Sequence, residues 1–199
     1  MVLDEVTNVG FNQAKCCRIT SSALKAPGRR CAVQPSQRLK RGSYFAALLV
    51  ASWCVMTVVH ETGHIVCGWA GGGTLREADV APWGLPHSSF DPDPRPLVTL
   101  WGGPVLGVIA PLAVAALVRR GWMWFIAFFC LLANGSYLAT AWVSGERYLD
   151  TPRLLQHGAP PATIVVYCAV TIAAGYVGFR RQCICVLSAG DQRHATPGT

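Results

Sequence analysis

Long apolar runs alternate with polar segments along most of this chain, and four of the runs are long enough to cross a bilayer. A transmembrane helix needs about 20 predominantly apolar residues. The four runs cover residues 44–69, 97–118, 122–143 and 162–179. The pattern therefore predicts an all-α membrane protein with about four transmembrane helices in a single membrane-embedded unit.

A short β-like segment is predicted between the first and second runs. It follows the glycines at 71–73, and Leu75, Ala78 and Val80 alternate there with polar neighbours, which is a weak strand pattern. A strand over these residues would present an edge to which an extended peptide could add through main-chain hydrogen bonds; an irregular loop is the alternative. The Pro-rich remainder of the loop, residues 85–96, is expected to be irregular.

The composition supports a membrane protein and excludes two other classes. Hydrophobic residues make up 52% of the chain and charged residues only 14%, against about 25% charged residues in an average soluble domain. That composition excludes a disordered chain. The nine cysteines are an odd number, and several fall inside the apolar runs. Without a secretory pattern, they do not describe a disulfide scaffold.

An N-terminal arm, residues 1–42, holds eight Lys or Arg and two acidic residues. Basic segments can bind nucleic acid, but no nucleic-acid module follows, and beside a membrane span they more often face anionic lipid on the cytoplasmic side. We expect this arm to be largely disordered and to have no nucleic-acid partner. The four-span domain then covers residues 43–181, and a cytoplasmic tail covers residues 182–199.

The positions of lysine and arginine next to the spans predict the orientation. Arginine pairs lie at 119–120 and 180–181, on the same side as the basic arm, whereas the loops 70–96 and 144–159 carry two arginines each together with acidic residues. Both termini are therefore predicted to lie in the cytoplasm, and both longer loops on the opposite side. The chain is expected to be an integral, multi-pass membrane protein.

The sequence His60-Glu61-Thr62-Gly63-His64 carries the strongest chemical signal. Positions i and i+4 lie on one face of a helix, so that both imidazoles can reach one metal ion. Zinc lowers the pKa of its bound water to about 7, and Glu61 is placed to take the proton. A charged residue near the centre of a membrane helix costs about 2.5–3.5 kcal/mol, so a partner such as a metal is expected. A polar trio at the membrane interface is the alternative.

With this motif on its first span, the chain resembles the site-2 protease class of intramembrane zinc metallopeptidases, in particular the short M50B-like branch of the M50 family. The glycines at 71–73 and the strand-like segment after them are similar to the part of those enzymes that follows the metal helix. Trp101-Gly102-Gly103-Pro104 resembles their recurrent Gly-Pro motif. The resemblance covers residues 44–180. It implies a bacterial cell membrane as the location, Zn²⁺ as the cofactor, and a membrane protein or peptide as the substrate.

A catalytic zinc site uses three protein ligands and a water, and the resemblance implies that the third ligand is the Asp of a Leu-Asp-Gly motif. This chain has Leu-Asp-Thr at 149–151, which matches the Leu-Asp pair and not the Gly. The predicted topology puts His60 and Asp150 on the same side of the membrane. His157 and His87 are alternative ligands, and Asp150 has the alternative interpretation of a solvated loop acid.

Four further small or polar residues of the spans are expected to act in packing. Asn134, in the third span, lacks the proline that follows in the family's Asn-Pro element. It is expected to make a polar contact between helices, with a contact to a metal ligand as the alternative. Gly102, Gly103 and Gly107 are expected to be positions of close helix packing.

The leading hypothesis is a zinc metalloendopeptidase that hydrolyses peptide bonds within or next to the bilayer. In it, His60, His64 and Asp150 bind Zn²⁺ and Glu61 acts as general base. The alternative is a membrane protein of the same family that does not cleave peptides and acts as a metal-binding or partner-binding subunit. A metal or proton transporter is a weaker third hypothesis, because the acidic residues lie at only one edge of four short spans.

Overall fold

The computed structural model describes residues 35–84 and 86–188. These residues form, in chain order, α1 (Pro35–Ala70), β1 (Leu75–Asp79), β2 (His87–Phe90), α2 (Pro96–Val118), α3 (Gly121–Ser144), α4 (Asp150–Gln156) and α5 (Pro161–Ser188). The helices α1, α2, α3 and α5 are each long and apolar enough to cross a membrane. The predicted fold class, four spans with a short β element after the first, is therefore confirmed, and the chain is an integral, multi-pass membrane protein.

Two helices extend beyond the predicted spans. α1 begins at Pro35, a residue type favoured in the first turn of a helix. Residues 35–42 of the arm, which was expected to be largely disordered, are therefore helical; residues 1–34 lie outside the described part of the chain. α5 continues past residue 179 to Ser188, because no glycine or proline interrupts that stretch. The predicted tail thus begins within a helix.

α3 lies at the centre of the bundle and packs against α1, α2, α4 and α5. Small residues let these helices approach closely, as is common between helices in membranes. A Cβ atom at Gly175 of α5 would lie only 2.5 Å from the backbone nitrogen of Leu132 in α3. In the same way, Gly63 of α1 packs directly on the backbone of Gly102 in α2. Close packing of glycine therefore holds both the α3–α5 and the α1–α2 contacts.

The loop predicted between the third and fourth spans contains α4, which packs into the bundle. The hydroxyl of Thr151 donates a hydrogen bond of 2.7 Å to the carbonyl of Leu138, a residue that lies six positions before the end of α3. Leu154 is fully buried in an apolar cluster with Leu100, Leu138, Ala159, Ile164 and Cys168. At 1.5 Å per residue, Leu138 lies about 9 Å from the end of α3. α4 therefore reaches about that depth inside the bundle.

The predicted strand after the first span is present as β1, and it pairs with a second strand that the sequence did not predict. β2 lies within residues 85–96, which were expected to be irregular. It pairs antiparallel with β1, with Leu75 opposite Phe90 and Asp79 opposite His87. The sequence of β2 has no alternation of apolar and polar residues, so its strand conformation depends on the pairing with β1 and not on its own pattern.

The β1–β2 hairpin folds back along α1. Nε1 of Trp53 donates a hydrogen bond of 3.1 Å to the carbonyl of Pro82, between the two strands. Trp53 lies 17 residues before the end of α1, which corresponds to about 25 Å along the helix axis. At the other end of the hairpin, the ring of Phe90 packs against Gly68. The hairpin thus runs beside the outer half of α1, where the His60-Glu61-Thr62-Gly63-His64 sequence lies.

The close contact at Gly175 predicts that Gly175→Ala destabilises the protein. The added methyl group would overlap the backbone of α3, and overpacking of this kind costs about 1–3 kcal/mol. The midpoint of thermal unfolding in detergent, followed by circular dichroism, should fall.

Gly121→Ala is the matched control, because nothing lies within 4 Å of a Cβ atom at that position. Its midpoint should stay the same or rise slightly. Equal midpoints for the two variants would contradict the close packing of α3 and α5.

Candidate metal centre

His60 and His64 lie one helical turn apart on α1, and their rings meet at the inner face of that helix. Their Nε2 atoms are 3.1 Å apart, and the ring centroids are 4.8 Å apart in an edge-on arrangement. Both side chains are buried. The i, i+4 spacing therefore brings the two imidazoles together as the sequence predicts.

Asp150, the first residue of α4, completes the cluster. Its Oδ2 atom lies 2.9 Å from Nε2 of His60 and 3.3 Å from Nε2 of His64. Only 6% of Asp150 is exposed, so it is not the solvated loop acid that was the alternative interpretation. The three side chains are of types that bind metal ions, and one potential ligand atom from each lies within 4.8 Å of the others.

The environment keeps Asp150 ionised. Burial alone raises the pKa of this carboxyl group, but electrostatic attraction to His64 and hydrogen bonds with both imidazoles outweigh it, so that the pKa lies well below its usual range. At neutral pH the side chain is therefore a carboxylate, the form that binds metal ions.

Each imidazole is oriented by a hydrogen bond from its other nitrogen. Nδ1 of His64 lies 2.8 Å from the carbonyl oxygen of Thr99, which can only accept, so Nδ1 carries the proton. Nδ1 of His60 lies 2.7 Å from Oδ1 of Asn134. The amide nitrogen of Asn134 donates to the carbonyl of Cys130 at 2.8 Å, which orients Oδ1 toward His60. Metal binding requires that each Nε2 atom has no proton, and both Nε2 atoms then face Asp150 as acceptors.

The residues of this cluster fit a metal ion. Three potential ligand atoms, two Nε2 atoms and one carboxylate oxygen, face each other at 2.9–3.3 Å. Ligand atoms around a tetrahedral zinc with bonds of about 2.0–2.1 Å lie about 3.3 Å apart, so only a small adjustment is needed. Two histidines and one carboxylate are a known donor set of catalytic zinc sites, and other first-row divalent cations also bind such ligands.

The glycines of α2 leave the space that the cluster occupies. A Cβ atom at Gly103 would overlap the imidazole of His64, and one at Gly107 would lie 2.8 Å from the amide oxygen of Asn134. The sequence predicted both glycines as positions of helix packing only. Their relation to His64 and Asn134 could not be seen in the sequence, because it depends on how α2 is rotated against α1 and α3.

Glu61 lies beside the cluster in a cleft. The volume open to the centres of water molecules in this cleft is about 50 Å³, which is room for a few waters. Most of the lining side chains are polar; they come from Glu61, His64, Pro86, His87, Ser88, Phe90, Asp93, Thr99, Leu100, Tyr137, Tyr148, Asp150 and Arg153. The hydroxyl of Ser88 is 3.5 Å from Oε2 of Glu61. Ser88, in β2, therefore lies next to Glu61.

The structure separates the three candidates for the third ligand. His157 is exposed at the end of α4 and is not among the residues that line the cleft. His87 lines the cleft, but its Nε2 atom lies 3.6 Å from Oε1 of Glu77 and it is outside the cluster. Asp150 is the candidate that joins His60 and His64.

This geometry predicts that Asp150→Ala lowers zinc affinity by more than about 100-fold, since loss of a residue that merely orients a ligand already costs about 10–100-fold. The zinc content of the purified protein, measured by mass spectrometry after dialysis against buffered zinc, should fall from about one ion per chain to near zero. His157→Ala is the matched control and should keep full zinc. Full zinc in Asp150→Ala would contradict the assignment.

The contact between α2 and His64 predicts that a substitution in α2 also lowers zinc affinity. Gly103→Ala places a methyl group where the His64 ring lies, so the imidazole must move and zinc affinity should fall by about 10-fold or more. Gly121→Ala, with open space around its Cβ position, should bind zinc as the wild type does. Competition with a chromogenic chelator measures both affinities, and equal values would show that α2 does not constrain the imidazole.

Comparisons with protein-family models, with curated proteins and with solved structures find no match to this chain. A functional assignment therefore depends on the chemistry of the site. That chemistry consists of three buried side chains able to hold a metal, a carboxylate beside them, and a polar cleft that reaches both.

Proposed function

We propose that this chain is a zinc-dependent peptidase of the site-2 protease type, which hydrolyses peptide bonds within or next to the bilayer. The observation that carries the proposal is the convergence of His60, His64 and Asp150 beside Glu61 in one polar cleft. This combination of two histidines, a carboxylate ligand and an adjacent glutamate is the set of groups that metal-assisted amide hydrolysis requires.

Glu61 has the role of general base and then general acid. Zinc, when bound, acts as a Lewis acid that makes water a nucleophile near neutral pH. Glu61 takes the proton from the attacking water and returns it to the amide nitrogen, so that the C–N bond breaks and a neutral amine leaves. Its carboxylate lies at the cleft because Glu61 follows His60 on α1, and the hydroxyl of Ser88 is 3.5 Å from Oε2.

The proposed reaction needs water at a site that lies deep in the bundle. His60 is ten residues from the end of α1, which corresponds to about 15 Å along the helix axis. Hydrolysis at that depth needs a path for water, and the cleft supplies one, because polar groups from β2, α3 and α4 line it. A dry site at the same depth would not support hydrolysis.

The substrate peptide is proposed to bind in extended form beside β2. Within the described residues, β2 pairs with β1 on one edge and with no strand on its other edge. Ser88 and Phe90 of β2 line the cleft. A peptide that adds to this edge through main-chain hydrogen bonds would be unwound, and its amide bonds would be exposed to attack.

The orientation with both termini in the cytoplasm is part of the proposal. The ends of α1, α2, α3 and α5 that flank the hairpin and α4 lie on one side of the bundle. The opposite ends carry the arginine pairs at 119–120 and 180–181. An excess of Lys and Arg marks the cytoplasmic side, so the cleft opens toward the other side of the membrane.

Glu61→Gln tests the proposal, because it removes the proton acceptor and keeps the shape of the side chain. We expect zinc-loaded wild type in nanodiscs to cleave casein, an unfolded model substrate. Glu61→Gln should lower that rate by about 10²–10⁴-fold and keep about one zinc per chain. Glu146→Gln is the matched control: Glu146 is exposed, it does not line the cleft, and its rate should equal that of the wild type.

The alternative function, a metal-binding or partner-binding subunit without peptidase activity, predicts a different result. The protein would bind zinc through His60, His64 and Asp150 and cleave nothing. Stoichiometric zinc without cleavage, or cleavage that is the same in wild type and Glu61→Gln, would favour this alternative over the peptidase.

A further inference from the structure

A positively charged side chain lines the cleft without an acidic partner. Arg153 lies on α4, one turn after Asp150, and is half-buried. Within residues 35–84 and 86–188, the three ion pairs join His60 with Asp150, His64 with Asp150, and His87 with Glu77. The guanidinium of Arg153 therefore has no carboxylate within 4.0 Å among the described residues.

The acidic side chains at the cleft lie next to groups other than Arg153. The Asp150 carboxylate contacts the two imidazoles, and Oε2 of Glu61 is near the hydroxyl of Ser88. Oδ1 of Asp93 accepts a hydrogen bond of 3.0 Å from the hydroxyl of Thr99. The positive charge of Arg153 therefore acts on whatever occupies the cleft.

Arg153 and the metal cluster share the cleft. Arg153 lies three residues after Asp150 on the same helix, and both side chains line the cleft together with Tyr137 of α3. The Tyr137 ring packs edge-on against His60 with 5.4 Å between the centroids. A group bound to Arg153 would therefore lie in the same small cleft as the site at which the peptide bond is proposed to break.

We infer that Arg153 forms a subsite for a carboxylate of the bound peptide, adjacent to the bond that is cleaved. A guanidinium is planar and binds a carboxylate through two parallel hydrogen bonds. The carboxylate is either the C-terminal carboxylate of the peptide or an Asp or Glu side chain within it. The inference rests on the proposed function, since it names the class of peptide that the cleft selects.

Equilibrium binding tests the subsite separately from cleavage. The protein is the full-length, zinc-loaded Glu61→Gln variant in dodecyl maltoside, a detergent without charge. The probes are three fluorescein-labelled peptides of alanine, valine and serine. One has a free C-terminal carboxylate, one has a C-terminal carboxamide, and one has the carboxamide and a single central glutamate. Fluorescence anisotropy measures the dissociation constant of each.

One of the two carboxylate probes should bind at least about tenfold more tightly than the neutral probe, because a hydrogen bond between charged groups contributes at least that factor. In the Glu61→Gln background, Arg153→Gln should remove the difference, and Arg153→Lys should retain part of it. Arg147→Gln is the matched control: Arg147 is exposed in the same loop and does not line the cleft. It should leave the difference unchanged, and the zinc content of each variant verifies that it is folded.

The two carboxylate probes identify the source of the carboxylate. Preference for the free C-terminus indicates removal of C-terminal residues, and preference for the central glutamate indicates cleavage beside an internal acid.

Equal affinities for all three probes, no binding of any probe at millimolar concentration, or a difference that survives Arg153→Gln would overturn the inference. A zinc-loaded wild type that cleaves casein while the probes bind equally refutes the subsite alone. Carboxylate-dependent binding without any cleavage refutes the proposed peptidase and leaves the subsite.

Discussion

Two imidazole nitrogens and one carboxylate face each other inside an apolar bundle, and the rest of the site depends on how that contact is stabilised. Asn134 and Thr99 accept the Nδ1 protons of His60 and His64, which turns the Nε2 atoms toward each other and toward Asp150, at 2.9–3.3 Å. A metal ion binds these atoms only where the folded chain brings them together. We therefore expect folding of this region to be coupled to metal binding.

The surrounding elements meet the geometric demands of this cluster. α1 supplies two imidazoles on one face, and the glycines of α2 leave room for His64 and for Asn134. α4 brings Asp150 to the depth of the histidines, because Thr151 bonds to the carbonyl of Leu138 and Leu154 fills the apolar core. The β1–β2 hairpin folds back along α1 and closes one side of the cleft with β2. The same arrangement that buries the cluster therefore keeps one polar side of it open to water and peptide.

The sequence predicted the features that depend on local periodicity. The apolar runs predicted four spans, and the i, i+4 spacing of His60 and His64 predicted that their rings meet. Features that depend on contacts between distant segments were not predictable in this way. The burial of Asp150 requires α4 to pack into the bundle, and β2 forms only because β1 offers a partner to residues without a strand pattern. In the sequence, Arg153 is only one of the two arginines of the loop 144–159, since nothing there places it at the cleft.

The central claim is that His60, His64 and Asp150 together hold one zinc ion. Anomalous diffraction at the zinc absorption edge, from crystals of the zinc-loaded protein, tests it most directly. The account predicts a single strong peak about 2.0–2.2 Å from Nε2 of His60, Nε2 of His64 and Oδ2 of Asp150. A zinc-loaded crystal whose peak lies at His157 or at His87, with none between the three side chains, would contradict it.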